Sequence, residues 1–151
     1  MIELHLLHPA AVHFPIALLT VGLAVAARAH LRERPEWLSR AGDWLLWLGT
    51  LSAWATLGLG LLAEEYGPHV PSAWETMGEH EALGWWTVGL FTALSVWRAL
   101  QGRKWERVFL VLWLAAAGVL LSTAYHGGEL VFKHGVLPGE VSLDPGPVRR
   151  G

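Results

Sequence analysis

The chain has 151 residues, of which 53% are hydrophobic and only 16% are charged, and its formal net charge is −2. This composition is too apolar for an ordinary soluble domain, and it excludes a disordered tail and a basic nucleic-acid-binding protein. The absence of cysteine excludes a disulfide-stapled miniprotein. The remaining class is a membrane protein, and this one carries eight histidines and ten tryptophans.

Four stretches without Asp, Glu, Lys or Arg follow one another along the chain, at residues 9–27, 44–63, 82–97 and 108–128. A membrane-spanning helix needs about 20 residues, with about 17 as the lower bound, so the third stretch is long enough only if Glu81 or Arg98 reaches toward the interface. The apolar runs lack the alternation of a transmembrane barrel. The sequence predicts four transmembrane helices, at about residues 8–29, 43–64, 80–100 and 106–130.

The chain reads as one domain with an extended C-terminus. The N-terminal sequence MIELHLLH contains no positive residue, so the first apolar stretch is interpreted as a helix and not as a secretory signal. Prolines at Pro138, Pro145 and Pro147 indicate irregular structure near the end of the chain. The prediction is an all-α, four-helix transmembrane domain over residues 1–135 and an irregular extracytoplasmic C-terminal tail over residues 136–151.

The distribution of positive charge predicts the orientation of these helices. Eight of the eleven Lys and Arg residues lie in the connections after the first and third helices: Arg28, Arg32, Arg34, Arg40, Arg98, Arg103, Lys104 and Arg107. Cationic connections are retained on the cytoplasmic side of a membrane. The expected protein is therefore a multi-pass protein of the plasma (bacterial inner) membrane with both termini extracytoplasmic, N-out and C-out.

On this topology the histidines gather at one side of the membrane. Seven map to the predicted outer half, and only His30 maps to the inner half; the seven are His5, His8, His13, His69, His80, His126 and His134. His13 and His126 lie within apolar stretches. Because an ionisable side chain inside a span is energetically expensive and usually faces the bundle interior with a partner, we expect these residues to have a function.

Neutral imidazole is a ligand for haem iron, zinc and copper. A haem between two imidazoles needs a slot lined by small side chains, and small residues occur at helical spacing from the histidines: Gly118 and Ser122 before His126, and Gly84 after His80. Such stripes also serve plain helix packing, which is the expected role of Ser52, Thr56 and Gly60 in the second helix. The stripes that end at histidines favour haem b, in one copy or two.

Other metal chemistry has less support from the residues. Copper favours thiolate and thioether ligands, but the chain has no cysteine and its methionines are Met1 and Met77. There is no HExxH sequence of the kind that holds catalytic zinc. Copper or zinc binding or assembly by the same outer histidines stays open as an alternative function, as does a structural subunit whose histidines contact lipid headgroups. With no nucleophile–base pair and no phosphate-binding loop, an electron-transfer subunit is favoured over a stand-alone enzyme.

Three histidine-containing motifs are similar to a known family. LHPAAVHFPIALL at residues 7–19, HEALG at 80–84 and HGGELVFKHGV at 126–136 together resemble the DUF2231 family of small bacterial membrane proteins. The resemblance implies four transmembrane helices, association with Rieske or c-type cytochrome modules, and hence electron transfer. It also implies that the motif histidines are haem ligands, namely His8, His13, His80, His126 and His134.

The sequence therefore predicts a membrane b-type cytochrome that transfers electrons near the outer, periplasmic face through a bis-histidine haem. The expected partners are the lipid bilayer, quinol and a periplasmic cytochrome c or Rieske-type protein, with a homo-oligomer as a further candidate and no nucleic acid. The candidate cofactor-binding residues are the five motif histidines together with Gly84, Gly118 and Ser122.

Overall fold

The computed structural model describes residues 7–31, 35–66 and 71–133. These residues form a short helix, α1, and four long helices, α2 to α5; a single 3-10 turn, Pro71–Ala73, leads into α4. No strand occurs in the described residues, so the all-α prediction is confirmed. The bounds are Leu7–Ala11 for α1, His13–Leu31 for α2, Glu36–Tyr66 for α3, Trp74–Gln101 for α4 and Glu106–Phe132 for α5.

The break between α1 and α2 lies at Val12, within one turn of Pro15. Proline has no backbone N–H, so Pro15 cannot bond to the carbonyl of Ala11 four residues earlier. The hydroxyl of Thr56, on α3, donates to that freed carbonyl at 3.4 Å. The proline thus separates α1 from α2 and leaves a carbonyl that ties the N-terminal segment to α3.

Two of the long helices begin earlier than the charge-free runs predict. α3 starts at Glu36 and α4 at Trp74, ahead of the expected starts near residues 43 and 80. Charged and interfacial residues continue the helical backbone beyond the apolar run, as hydropathy alone does not show where helical hydrogen bonding ends. In α4 this extension holds Glu75 and Glu79.

Within the described residues, three segments are long and apolar enough to cross a membrane: Leu7–Leu31, Glu36–Glu65 and Glu106–Phe132. α4 is 28 residues long, but it is not among these three, and it is the least apolar of the long helices. It packs against α3 and α5 along the bundle. The four-helix membrane bundle is therefore confirmed as an architecture, with α4 as its least apolar member.

The four long helices form a ring in which each packs against two neighbours. α2 packs closely on α3 and α4 on α5, and contacts between α3 and α4 and between α2 and α5 close the ring. The starts of α2 and α4 share one end of the bundle with the last turns of α3 and α5; we call this the histidine end, because His8 and His80 lie there, and the opposite end the arginine end.

The core of the bundle fills its middle and its arginine end. Its largest fully buried side chains are Leu19, Leu46, Phe91, Phe109 and Trp113. The indole of Trp113 lies so close to α2 that a Cβ on Gly22 would stand 3.0 Å from its Cζ2. Close packing of this kind leaves no space for a ligand between α2 and α5 at this level.

Four charged side chains join three helices at the arginine end. The side chain of Arg98 on α4 is 2% exposed; its Nη1 lies 2.7 Å from Glu106 on α5, and its Nε lies 3.2 Å from Asp43 on α3. Its guanidinium carbon lies 3.9 Å above the Phe109 ring. Arg103 also contacts both carboxylates, at 2.5 Å from Asp43 and 3.4 Å from Glu106. Arg98 and Arg103, which were counted as cations of a loop in predicting the orientation, are therefore both paired with carboxylates.

Replacing Arg98 with Met is expected to lower the free energy of unfolding by about 3–5 kcal/mol, because two carboxylates would lose their buried partner. The measurement is unfolding in mixed micelles, followed by tryptophan fluorescence. Arg40→Ala is the matched control, since Arg40 pairs with Glu36 while 69% exposed, and such pairs contribute about 0.2–1 kcal/mol. Equal losses in the two variants would contradict a structural role for the buried cluster.

Candidate functional site

A cavity of about 540 Å³ lies among the four long helices at the histidine end. This volume is within the roughly 300–1,000 Å³ that is typical of small-molecule and cofactor sites. The wall is mainly apolar and contains many small residues, among them Ala53, Gly60, Gly84, Ala124 and Gly127. The bundle is thus closed in one half and hollow in the other.

His8 on α1 is the first imidazole in the wall of this cavity. Its Nδ1 donates a hydrogen bond to the backbone carbonyl of Thr56 on α3, at 3.0 Å. Since a carbonyl can only accept, this contact requires the proton on Nδ1. The ring lies against Gly60, where a Cβ would stand 3.0 Å from His8 Cε1.

His80 on α4 is the second imidazole, and its surroundings repeat those of the first. Its Nδ1 donates to the backbone carbonyl of Thr123 on α5, at 3.0 Å. The ring lies against Gly127, where a Cβ would stand 2.9 Å from His80 Cε1. The hydroxyls of Thr87 and Thr123 are hydrogen-bonded to each other at 2.9 Å beside this contact.

The two imidazoles are neighbours at the centre of the bundle. Their ring centroids lie 6.2 Å apart, and their planes are inclined by 80°. In the described part of the chain neither Nε2 has a hydrogen-bond partner. The two rings thus lie close together in the wall of one cavity, each with Nδ1 bound to a backbone carbonyl.

Two of the other predicted histidines, His13 and His126, do not line the cavity. His13 is exposed on α2, with its Nδ1 3.4 Å from the carbonyl of Ala10. His126 donates through Nδ1 to the carbonyl of Ser122 at 2.8 Å, and its Nε2 lies 3.6 Å from a carboxylate oxygen of Glu79. His134 lies outside the described residues. Of the five motif histidines, the structure thus brings His8 and His80 together.

The predicted small residues also divide into two groups. Gly84 lies in the cavity wall, where a Cβ would meet Leu57 Cδ1 at 3.4 Å. Gly118 is exposed with nothing within 4 Å of a Cβ, and Ser122 does not line the cavity. The face of α5 that looks into the cavity instead carries Leu120, Thr123, Ala124, Gly127 and Val131.

Sequence reasoning missed the residues that receive the imidazoles. It assigned Thr56 and Gly60 to plain helix packing and did not single out Thr123. A usable signal was present, since each receiving helix has a threonine followed four residues later by a glycine, as TLGLG at residues 56–60 and TAYHG at 123–127. The same spacing occurs near the ends of both α3 and α5. The predictions from charge and from small residues at helical spacing did not use it.

The ionisable side chains of the wall are acidic, apart from the two imidazoles. They are Glu64 and Glu81, and no Lys or Arg occurs among the described residues that line the cavity. Glu81 accepts a hydrogen bond from Trp85 Nε1 at 3.2 Å.

Lys133, which follows α5, donates a hydrogen bond to Glu129 at 2.6 Å, and this hydrogen bond raises the pKa of the lysine. No group of three His, Asp or Glu side chains placed to hold one metal ion occurs in the described ranges.

Comparison with known proteins agrees with the motifs. The family described as "Predicted membrane protein (DUF2231)" matches the chain over residues 4–138. No curated protein and no solved structure matches the chain. The match covers all of the helices and both imidazoles of the cavity, so the resemblance drawn from the three motifs is confirmed.

Proposed function

We propose that this chain, which belongs to the DUF2231 family of predicted membrane proteins, is a b-type cytochrome that binds haem between His8 and His80. The observation that carries the proposal is the position of this pair, 6.2 Å apart in the wall of one cavity at the histidine end. Neutral imidazoles with Nδ1 bound to a carbonyl are the usual form of histidine ligands, because that bond orients the ring and leaves Nε2 for the metal.

The wall of the cavity suits a flat macrocycle. Gly60, Gly84 and Gly127 occupy positions where larger side chains would project toward the two imidazoles or into the space beside them. When bound, haem would supply a one-electron carrier; the protein's part is to hold its iron between His8 and His80 and to exclude water from its faces. Because the wall carries Glu64 and Glu81 and no described cation, the propionates are expected to extend to water at the open histidine end.

The cavity at one end and the packed core at the other support electron exchange at a single face. The charge bias predicts that the histidine end is extracytoplasmic, with both termini outside. We therefore assign the protein to electron transfer between quinol and a periplasmic partner, such as a cytochrome c or a Rieske-type protein, with the bacterial inner membrane as its location.

Haem binding is tested on the full chain, expressed in membranes with haem supplied and purified in mild detergent. We expect a Soret band and a reduced α-band after dithionite, with a pyridine haemochrome that gives about one haem per chain. His8→Ala and His80→Ala should each lose most of the bound haem. His13→Ala and His30→Ala should retain it, because both side chains are exposed. Absence of haem from the wild-type chain would overturn the proposal.

A second test fills the cavity without removing a ligand. Gly84→Phe places a ring in the wall one turn from His80, and we expect it to abolish haem binding. Gly89→Phe on the same helix is the control, because Gly89 is exposed with nothing within 4 Å of a Cβ. Haem content is measured by the haemochrome assay, and equal haem content in the two variants would place the cofactor elsewhere.

Orientation can be measured directly because the chain has no cysteine. Ser72→Cys marks the histidine end and Lys104→Cys the arginine end; both side chains are exposed. In intact bacterial cells with a permeable outer membrane, a membrane-impermeant maleimide should label Ser72→Cys at once and Lys104→Cys only after lysis. The reverse pattern would contradict the predicted N-out, C-out topology.

The second candidate, copper or zinc binding or assembly, is favoured by one observation. The cavity wall is acidic, which suits a metal cation better than the propionates of haem. Against it, the described residues offer two imidazoles and no third ligand beside them, so further ligands would have to come from water or from another part of the chain. Metal analysis of the purified chain separates the two functions, since copper or zinc at one per chain without porphyrin supports this candidate.

A further inference from the structure

The bundle consists of two helical hairpins of the same design. The first contains α1, α2 and α3, and the second contains α4 and α5. Each hairpin has one cavity histidine near the start of its first arm and a threonine–glycine pair near the end of its second arm. His8 meets Thr56 and Gly60, and His80 meets Thr123 and Gly127.

The two arrangements agree in detail. Both Nδ1 to carbonyl distances are 3.0 Å. A Cβ on Gly60 would lie 3.0 Å from Cε1, 3.2 Å from Nδ1 and 3.6 Å from Nε2 of His8. The corresponding distances from Gly127 to His80 are 2.9, 3.4 and 3.7 Å. The same edge of each imidazole therefore faces its glycine, in the same order of atoms.

Glycine is favoured in these places for a steric reason. A helical carbonyl already accepts the N–H of the residue four positions later, so a second donor must approach beside that residue. In both hairpins that residue is the glycine, at Gly60 after Thr56 and at Gly127 after Thr123. Any other residue would place a Cβ at about 3 Å from the ring, closer than carbon atoms pack without strain.

We propose that Gly60 and Gly127 are matched positioning residues, which admit His8 and His80 to the carbonyls of Thr56 and Thr123 and so hold both rings as Nδ1–H tautomers with Nε2 free. The two hairpins then present the same tautomer to one cavity, whose wall contains both rings. The role of Nε2 rests on the proposed function, whereas the tautomer does not.

The tautomer is measured on the ligand-free full chain in detergent micelles, with ¹⁵N-labelled histidine and ring-nitrogen NMR at a pH above the titration of the rings. His8→Gln and His80→Gln assign the signals. In the wild type, each ring should show a protonated Nδ1 and an unprotonated Nε2. A protonated Nε2 on either ring would overturn the inference, and this result is independent of whether haem binds.

Alanine variants with neighbouring controls test the glycines. Gly60→Ala should change the His8 signals to a mixture of tautomers, and Gly127→Ala should do the same for His80. Gly58→Ala and Gly128→Ala are the controls, since nothing lies within 4 Å of a Cβ at either position. If each pair of variants gives the same spectrum, the glycines are not positioning residues.

The haem-loaded protein provides the second readout. Loss of the orienting bond at a ligand histidine typically lowers metal affinity by about 10–100-fold, so Gly60→Ala and Gly127→Ala should weaken haem binding by that factor while the controls do not. Failure of the proposed function would appear as a wild-type chain without haem but with the expected tautomers. Failure of this inference would appear as haem bound equally well by the alanine variants and their controls.

Discussion

The histidine end is organised by the need to satisfy an imidazole N–H inside an apolar bundle. A buried donor without a partner costs about 1–3 kcal/mol, and the helices around the cavity offer few acceptors, because their carbonyls are already used in helical hydrogen bonds. A second hydrogen bond to a helical carbonyl resolves this difficulty. His8 and His80 both use it, and the location of an accessible carbonyl on the neighbouring helix therefore decides where each ring can lie.

The hydrogen bonds that satisfy the two imidazoles also connect the helices. Each imidazole links the first arm of its hairpin to the second, and the Thr56 hydroxyl adds a further link to the carbonyl that Pro15 leaves free. At the opposite end, Arg98 and its carboxylate partners join α3, α4 and α5. Polar contacts therefore hold both ends of the bundle, while apolar packing around Trp113 fills the space between them.

The sequence predicted the membrane class, the helices and the gathering of histidines at one end, because these depend on composition and on position along each helix. It did not predict which histidines face the cavity, because that depends on rotation about the helix axis. α2 is apolar around its whole circumference, so no polar face indicates that His13 is exposed and Pro15 buried. On α5, His126 and Gly127 are adjacent in sequence but point about 100° apart, and it is Gly127 that lines the cavity.

Local sequence patterns also could not predict contacts between helices that are distant in sequence. Thr56 and Gly60 have the spacing of a packing stripe, and their role depends on a residue 48 positions before Thr56. Likewise, Arg98 and Arg103 contribute to the charge bias of a loop, but their pairing with Asp43 requires α3 and α4 to be neighbours. Gly84, which the sequence singled out by its helical spacing from His80, does line the cavity, because it lies one turn from His80 on the same helix.

The position of the cavity has a consequence for how the protein responds to a membrane potential. Moving one elementary charge across a whole membrane changes its energy by about 2.3 kcal/mol per 100 mV. The cavity occupies only the histidine end, and the packed core beyond it blocks the rest of the path. A charge that enters from that end therefore crosses only part of the electric field, so its binding energy changes less with voltage than a full crossing would require.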